Sequence, residues 1–232
     1  MAKRSLSDAV VAVVGASGGL GGPIARQLAD RGAHLILAGP HPERLTALDL
    51  TDATIVTADI RDPAAGDAVA KAAVDAHGRL DGLINAAGVA AFGPLTETDD
   101  AVIEELFTIN VVGPLWLAKR VVPHLAETKG FLVNLSAVLA EAPMADMAAY
   151  GATKAALTSV DRALTRELRR LPVAVCDVRP PHTETGLVTR PLVGQAPSLP
   201  EGLAPEQVAA RIIEAIEAGA SEVSSDSFAD PA

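Results

Sequence analysis

Residues 10–22 read VVAVVGASGGLGG, an aliphatic run that passes directly into a cluster of glycines. The first five residues are apolar throughout, which predicts a short strand buried on both faces. Glycines permit a tight turn, and the pattern from residue 20 onward predicts a helix. Because a helix that begins at such a turn offers free amides and the positive end of its dipole, the stretch predicts a phosphate-binding turn. A tight turn without a ligand is the alternative.

Strands and helices alternate to the end of the chain. Strands are predicted at residues 10–14, 34–38, 54–58, 80–85, 130–135 and 172–178, with a short last strand at 222–225. Helices are predicted at residues 20–31, 43–49, 63–77, 99–127, 147–170 and 205–219. The predicted fold class is therefore α/β: a Rossmann-type doubly wound parallel sheet flanked by helices on both faces. Residues 1–232 are expected to form a single dinucleotide-binding and catalytic domain.

The composition limits the partners. The chain has 232 residues, of which 49% are hydrophobic, enough for one domain with a sizeable core. A net charge of −10 and a pI near 4.9 exclude nucleic acid and anionic membranes as expected partners. Cys176 is the only cysteine, so neither a disulfide nor a metal site is expected. The apolar stretch at residues 9–14 is too short for a signal peptide or a membrane span, so a cytoplasmic protein is expected.

Two segments have no clear periodicity. Residues 186–203 are rich in proline and glycine and follow the carboxyl end of a predicted strand. Ligands of doubly wound sheets bind beyond those ends, so this segment is interpreted as a substrate lid, and a solvated loop without function is the alternative. Residues 225–232 are expected to form a frayed tail.

A tyrosine and a lysine stand four residues apart in Tyr150-Gly151-Ala152-Thr153-Lys154. In the helix predicted there, the two side chains share one face. A cation beside a tyrosine stabilises the phenolate and lowers a pKa that is ordinarily about 10, so the pair is a candidate acid and base. A core tyrosine beside a lysine that reaches water is the alternative, although Tyr150 is the only tyrosine in the chain.

The end of the second predicted strand bears on the choice between NAD and NADP. An acidic residue there normally binds the ribose 2′-hydroxyl of NAD, but Pro40 and His41 stand at this point, with Arg44 close by. The choice stays open, and the absence of an acid slightly favours NADP. After the third strand, Asp59 and Ile60 could meet the adenine, with Asp59 accepting from its amino group, or Asp59 could cap the next helix.

Three further features complete a recognisable set: Asn85-Ala86-Ala87-Gly88 after the fourth strand, Asn110 in the long helix and Ser136 after the fifth strand. With the glycine turn and the Tyr-x-x-x-Lys spacing, the chain resembles the short-chain dehydrogenase/reductase (SDR) superfamily, compact single-domain type. The resemblance covers essentially the whole chain, with five motifs in the family's order.

The glycine turn of that family reads Gly-x-x-x-Gly-x-Gly, which Gly15, Gly19 and Gly21 match. Two departures stand out. Val14 occupies a position where the family usually has threonine. The family's Pro-Gly after the sixth strand is Pro180-Pro181 here, and the second proline removes a backbone donor and fixes φ.

The resemblance implies a role for each catalytic position. Tyr150 is the general acid and base, Lys154 lowers its pKa and holds the nicotinamide ribose, Ser136 polarises the substrate carbonyl, and Asn110 anchors a water in a proton relay. The implied cofactor-binding residues are Gly15, Ser17, Gly18, Gly19, Leu20, Gly21, Pro40, His41, Asp59, Ile60, Asn85, Ala86, Ala87, Gly88, Tyr150, Lys154, Pro180, Thr183 and Thr185.

Three of these residues have simpler explanations when taken alone. Ser136 could cap a turn, and Asn110 could be a buried amide satisfied by the backbone. Asn85 is expected to act mainly as scaffold for the cofactor site.

The function expected is that of an NAD(P)-dependent oxidoreductase that interconverts a secondary alcohol and a ketone by hydride transfer. Pocket walls are expected from residues 89–92, 138–147 and 186–203, which are mostly apolar and favour an apolar carbonyl or alcohol substrate despite Glu141, Asp146 and Glu184. The resemblance also implies a homodimer or homotetramer. A non-catalytic nucleotide-sensing protein on the same fold is the alternative, and an epimerase or dehydratase using the same cofactor is a further one.

Overall fold

The computed structural model describes residues 4–229. Seven parallel strands form one sheet in the order β3-β2-β1-β4-β5-β6-β7. The strands are β1 Val10–Val14, β2 His34–Gly39, β3 Thr54–Thr57, β4 Gly82–Asn85, β5 Phe131–Leu135, β6 Ala174–Val178 and β7 Glu222–Val223. The predicted doubly wound parallel sheet is confirmed, including its short last strand.

Helices cover both faces of the sheet. They are α1 Gly21–Asp30, α2 Pro42–Thr46, α3 Ala65–His77, α4 Asp100–Phe107, α5 Gly113–Thr128, α6 Ala148–Glu167 and α7 Pro205–Ala218. Helices α1 and α7 pack together on one face, and α3 and α5 pack together on the other, where the end of α6 also lies.

The central strand β1 shows why these residues form a buried strand. Val11 and Val13 point into the core beneath α1 and α7, whereas Val10, Ala12 and Val14 point into the core beneath α3 and α5. Successive side chains of a strand alternate between faces, so a strand buried on both sides must be apolar at every position.

The chain reverses its winding direction between β1 and β4, which are neighbours in the sheet. From β1 it proceeds outward to β2 and β3, and from β4 it proceeds in the opposite direction. The loops that leave β1 and β4 therefore diverge and open a crevice at the carboxyl end of the sheet, where doubly wound folds bind their ligands.

The helix predicted at residues 99–127 is interrupted. A π-helical segment, Thr108–Val112, separates α4 from α5. Such bulges shift the register of the backbone and occur mostly at functional sites. Asn110 lies in this segment.

The helical stretch Asp100–Thr128 is also long and apolar enough, by length and composition, to cross a membrane. This is weak evidence for a span, because a core helix of a soluble protein meets the same criterion. Leu117, Val121 and Leu125 of this stretch are buried in the core beneath α3 and α5.

The predicted frayed tail needs a correction. Residues Ser225–Phe228 form a 3₁₀ turn, and Phe228 packs against the core. The turn is held by Ser225, whose hydroxyl donates to Glu141 at 2.6 Å. Residues 230–232 of the predicted tail lie outside the described part of the chain.

Candidate active site

The glycine turn between β1 and α1 forms a cradle that side chains would fill. Gly15 has a φ of +77°, and a Cβ there would lie 2.6 Å from the amide nitrogen of Ala87. A Cβ on Gly21 would lie 2.2 Å from the carbonyl oxygen of Gly15. The backbone amides of Ser17, Gly19 and Leu20 make no hydrogen bond within residues 4–229. Free amides at a helix start, in a turn without side chains, fit a diphosphate.

Thr185 lies against this cradle, and Thr183 lines the same cavity. A Cβ on Gly19 would lie 2.3 Å from the carbonyl oxygen of Thr185, so the two backbones are in contact. The Thr183 hydroxyl donates to the Pro181 carbonyl at 2.9 Å and can still accept from the amino group of a carboxamide. The cofactor contacts expected of both threonines stay predictions. Pro180 accepts from the Val138 amide at 3.0 Å and supports the neighbouring loop.

Basic side chains border the cavity beyond β2. Pro40 and His41 are exposed, and His41 lies 3.6 Å from Glu43. Arg44 donates to the carbonyl oxygen of Ser17, in the glycine turn, at 3.4 Å. Within residues 4–229, Arg44 forms no ion pair, so its charge is available to a ligand at this end of the cavity.

Asp59 lies beyond β3 in a bidentate ion pair with Arg61, which also contacts Glu105 at 3.0 Å. Hydrogen bonding from Arg61 holds the pKa of Asp59 below its usual range. Asp59 does not cap α3, because Asp62 accepts from the Ala64 amide at the helix start. The carboxylate can still accept from an adenine amino group, since it has more acceptor positions than Arg61 fills.

The motif after β4 forms the opposite wall of the cradle. Asn85 donates to Asn134 at 3.1 Å and accepts from the Ala87 amide at 3.2 Å. Both groups of the amide are therefore used in holding the turn, which supports the scaffold role expected for Asn85. Gly88 allows close approach, because a Cβ there would lie 3.3 Å from Asn110 and 3.4 Å from Lys154.

Asn110 is buried and its side chain is fully engaged. Its Oδ1 accepts from the Val89 amide at 3.0 Å, and its Nδ2 donates to the Val89 carbonyl at 2.9 Å and to Thr153 at 3.0 Å. Both protons of the side-chain amide are committed, so a water in the expected relay would have to donate to an oxygen of Asn110, either Oδ1 or the backbone carbonyl. The π-helical segment alters the hydrogen bonding of that backbone.

Tyr150 and Lys154 lie on the buried face of α6. The Lys154 Nζ lies 5.8 Å from the centre of the Tyr150 ring and donates to the Leu135 carbonyl at 3.0 Å. The Tyr150 hydroxyl makes no hydrogen bond within residues 4–229, and the residue lines the cavity.

The electrostatics of the pair differ from expectation. Lys154 was expected to lower the pKa of Tyr150. Instead, burial raises the pKa of Tyr150 above its usual value. Burial also lowers the pKa of Lys154 to about 8, and the nearby charge of Asp177 opposes that shift. Before any ligand binds, the tyrosine is therefore a neutral acid beside a lysine that titrates near pH 8.

The hydroxyl of Ser136 is engaged in a buried hydrogen-bond network. It donates to Asp177 Oδ1 at 2.6 Å, with the Val178 carbonyl also within 3.0 Å, and accepts from Thr158 at 3.1 Å. A serine hydroxyl has one proton, and a buried carboxylate takes it. Ser136 is still among the residues that line the cavity, and its role in polarising a substrate carbonyl stays a prediction.

That network contains the residues that sequence reasoning missed. Asp161 and Asp177 are 1% and 2% exposed, and Arg179 is 3% exposed. Asp161 accepts from Asn134 at 2.6 Å, and burial raises its pKa to about 8. The signal in the sequence was an aspartate inside the otherwise apolar strand β6.

A cavity of about 760 Å³ joins the glycine cradle to Tyr150 and Lys154, whereas Gly21, Asn85 and Asn110 are not among the residues that line it. One end holds the glycine cradle, Arg44 and Asp59, and the other holds Tyr150 and Lys154. The three predicted wall segments all contribute residues to the lining. The lining residues from these segments are Val89, Ala90, Phe92, Val138, Leu139, Met144, Met147, Leu187, Val188, Arg190, Leu192, Ser198, Leu199 and Pro200.

The segment 186–203 crosses the cavity and is tied to the far wall. Phe92 donates to the Val193 carbonyl at 3.1 Å, and Leu192 donates to the Ala90 carbonyl at 2.8 Å. These bonds join the segment to the loop after β4, and its role as a substrate lid stays a prediction.

Fold and cavity together define a dinucleotide-binding type of site with a tyrosine and a lysine at its far end. The family model for short chain dehydrogenases matches residues 9–192. The chain belongs to this family and is an oxidoreductase of the SDR type, as the motifs predicted. An uncharacterised oxidoreductase of Staphylococcus epidermidis is 31% identical over 184 residues, which cover 78% of this chain and 80% of the relative.

Solved structures of the same fold contain dinucleotides. A short-chain dehydrogenase from Burkholderia cenocepacia in complex with NADP superposes with a TM-score of 0.84 at 26% identity, over 96% of this chain and 90% of that one. A 3-ketoacyl-(acyl-carrier-protein) reductase from Brucella melitensis, complexed with NADH, has a TM-score of 0.85 at 23% identity. The alignment covers 97% of this chain and all of the reductase, and it shows the fold alone.

Proposed function

We propose that this protein is an NAD(P)-dependent oxidoreductase that interconverts a secondary alcohol and a ketone. One observation carries the proposal: Tyr150, with a free hydroxyl and Lys154 beside it, opens into the same cavity as the glycine cradle. The cradle can hold a diphosphate at one end while the tyrosine meets a reacting oxygen at the other.

A bound nicotinamide would supply hydride transfer, and the protein would move one proton. In the direction of reduction, Tyr150 gives its proton to the substrate oxygen as that oxygen gains negative charge. The buried neutral tyrosine is suited to this role, and the ammonium group of Lys154 stabilises the phenolate that remains. In oxidation the same phenolate accepts the proton of the alcohol.

NADP is the cofactor that the cavity favours. Arg44 borders the adenosine end without a carboxylate partner within residues 4–229, and β2 ends without an acid. A free guanidinium can bind a 2′-phosphate, whereas a 2′-hydroxyl gains little from it. The solved relatives bind either dinucleotide, which supports NAD(P) in general.

The substrate is proposed to be an apolar carbonyl compound or alcohol. Glu141 is one of the acidic residues that counted against an apolar substrate. Its side chain points away from the cavity toward Arg179 and Ser225. Glu184 accepts from the Gly202 amide at 2.8 Å, at the neck of the lid segment. Methionine, leucine and valine side chains form most of the walls, together with the charged Arg190.

The proposal is tested by a panel of apolar ketones and secondary alcohols, assayed with NADH, NADPH and their oxidised forms. Turnover of at least one pair, with loss of about a hundredfold or more in Tyr150→Phe, is the expected result. Cofactor binding without turnover across the panel would support the alternative, a non-catalytic nucleotide sensor.

We also propose a cytoplasmic homodimer or homotetramer, which light scattering of the purified protein and fractionation of cells would check.

A further inference from the structure

A carboxylate without a role in the proposed chemistry lies directly behind the active site. Asp177 is on β6, and its Oδ1 accepts from Ser136 at 2.6 Å and lies 3.3 Å from the Thr158 hydroxyl, whose one proton is shared between Ser136 and Asp177. Its Oδ2 forms an ion pair with Arg179. A buried carboxylate is costly unless each oxygen has a partner, and here each has one.

Asp177 is joined to both elements that hold Lys154. Thr158 is four residues, about one helical turn, beyond Lys154 on the buried face of α6, a rise of about 6 Å. On the other side, the Lys154 ammonium donates to the carbonyl of Leu135, and the next residue is Ser136. The carboxylate is thus anchored both to the turn of helix and to the strand end between which the ammonium group lies.

The charge of Asp177 is not cancelled by its ion pair. Arg179 contacts three carboxylates, those of Asp177, Glu141 and Glu222. One guanidinium against three carboxylates leaves the cluster net negative. The cluster therefore leaves negative charge that favours a second cation nearby.

Other titratable groups around Lys154 do not supply this charge. On α6, burial raises the pKa of Tyr150 and raises that of Asp161 to about 8, so both are mostly neutral near pH 7. On β6, burial raises the pKa of the Cys176 thiol to about 12. β5 and the π-helical segment present groups that do not ionise: the Leu135 carbonyl, Asn134, Ser136 and Asn110.

We propose that Asp177 is a positioning residue of the active site: its carboxylate keeps Lys154 in the ammonium form and fixes the strand end and helix turn that hold it. This inference rests on the proposed function, in which the ammonium group stabilises the phenolate of Tyr150. Burial alone drives Lys154 toward the neutral amine, which could neither stabilise a phenolate nor donate three hydrogen bonds.

The test measures the proton on Lys154 directly. The chain has five lysines, so ¹³C labelling at the lysine ε-carbon gives five resonances, and Lys154→Met identifies the one of interest. Asp177→Asn should lower the midpoint of the Lys154 titration by about one pH unit. Glu222→Gln is the matched control, because it removes another carboxylate from Arg179 without touching Ser136 or Thr158, and its midpoint should stay near that of the wild type.

A second readout follows cofactor binding. The affinity for NADPH, measured by fluorescence, should fall with rising pH as Lys154 loses its proton, and Asp177→Asn should move that loss to lower pH by the same amount. If Asp177→Asn does not fold, Asp177→Asn with Arg179→Gln removes both charges and leaves two amides that can pair. The double variant should show the same lowered midpoint.

Unchanged Lys154 midpoints in the Asp177 variants would overturn the proposal, even if those variants melt at lower temperature, because a purely structural residue would behave in that way. An equal shift in Glu222→Gln would also overturn it. Failure of the wild-type protein to bind either NADH or NADPH would contradict the proposed function instead, and the lysine titration would still decide the role of Asp177.

Discussion

The hydroxyl of Ser136 donates to the carboxylate of Asp177 at 2.6 Å. This bond directs the serine hydroxyl toward β6, although Ser136 is among the residues that line the cavity. Ala137 follows in an extended conformation, with φ of −168° and ψ of 163°, so its side chain points to the opposite side and lines the cavity. The wall beside the reacting oxygen therefore presents a methyl group where a hydroxyl was expected.

Ser136→Ala should leave turnover largely intact and reduce stability. The variant removes one hydrogen bond to a buried charged group, which costs about 2 kcal/mol of the free energy of unfolding. Steady-state kinetics and urea denaturation of wild type and variant would measure the two effects separately. A folded Ser136→Ala variant without turnover would restore the serine to a catalytic role.

Ala137→Ser should raise turnover of a ketone substrate. The new hydroxyl would lie on the cavity side of the backbone, where it could donate to the substrate oxygen alongside Tyr150. An increase in kcat with NADPH is expected, and Ala137→Val serves as the control for added volume. If serine and valine have the same effect, the hydroxyl does not reach the oxygen.

Tyr150 should ionise above pH 10 in the free protein. Burial favours the neutral phenol, so the pKa lies above the ordinary value, and the phenolate appears only as pH rises beyond it. Because Tyr150 is the only tyrosine, near-ultraviolet absorbance of the phenolate reports this residue alone. A midpoint below pH 9 without cofactor would show that Lys154 outweighs burial.

The sequence was sufficient for those parts of the structure that depend on neighbouring residues. The strand, glycine turn and helix at residues 10–22, and the shared helix face of Tyr150 and Lys154, follow from local pattern. The direction of Ser136 does not, because it depends on an aspartate 41 residues later in the chain. The predicted strand 172–178 included Asp177, and only pairing of β6 with β5 shows what that carboxylate contacts.

The same limit applies to the two threonines after β6. Thr183 and Thr185 are equivalent in the sequence pattern, and both were expected to meet the cofactor. The contact with Gly19 places the Thr185 backbone against the cradle, and the Pro181 carbonyl takes the proton of Thr183. Such choices require the relative placement of distant segments.

Gly19→Ala should weaken NADPH binding by tenfold or more. Its Cβ would lie 2.3 Å from the Thr185 carbonyl, so either the cradle or the base of the lid must move. Gly22→Ala is the matched control nearby, since its Cβ would lie 3.4 Å from Leu48 and 3.7 Å from the Ala16 carbonyl oxygen, both ordinary contacts. Fluorescence titration with NADPH compares the two. Equal affinities would show that the backbones of Gly19 and Thr185 can move apart without weakening NADPH binding.

Arg44→Gln should weaken the binding of NADPH about tenfold or more and leave that of NADH nearly unchanged. The guanidinium borders the adenosine end of the cavity, and a 2′-phosphate is the group that distinguishes the two cofactors there. Because the interaction is between charges at an exposed site, the preference of the wild type for NADPH should also decline as salt increases. Arg26→Gln is a suitable control, because Arg26 is an exposed arginine that donates to the Leu48 carbonyl and is not among the cavity-lining residues. If wild type binds NADH more tightly than NADPH, or if Arg44→Gln weakens both equally, the arginine does not read the 2′-phosphate and the preference for NADP is wrong.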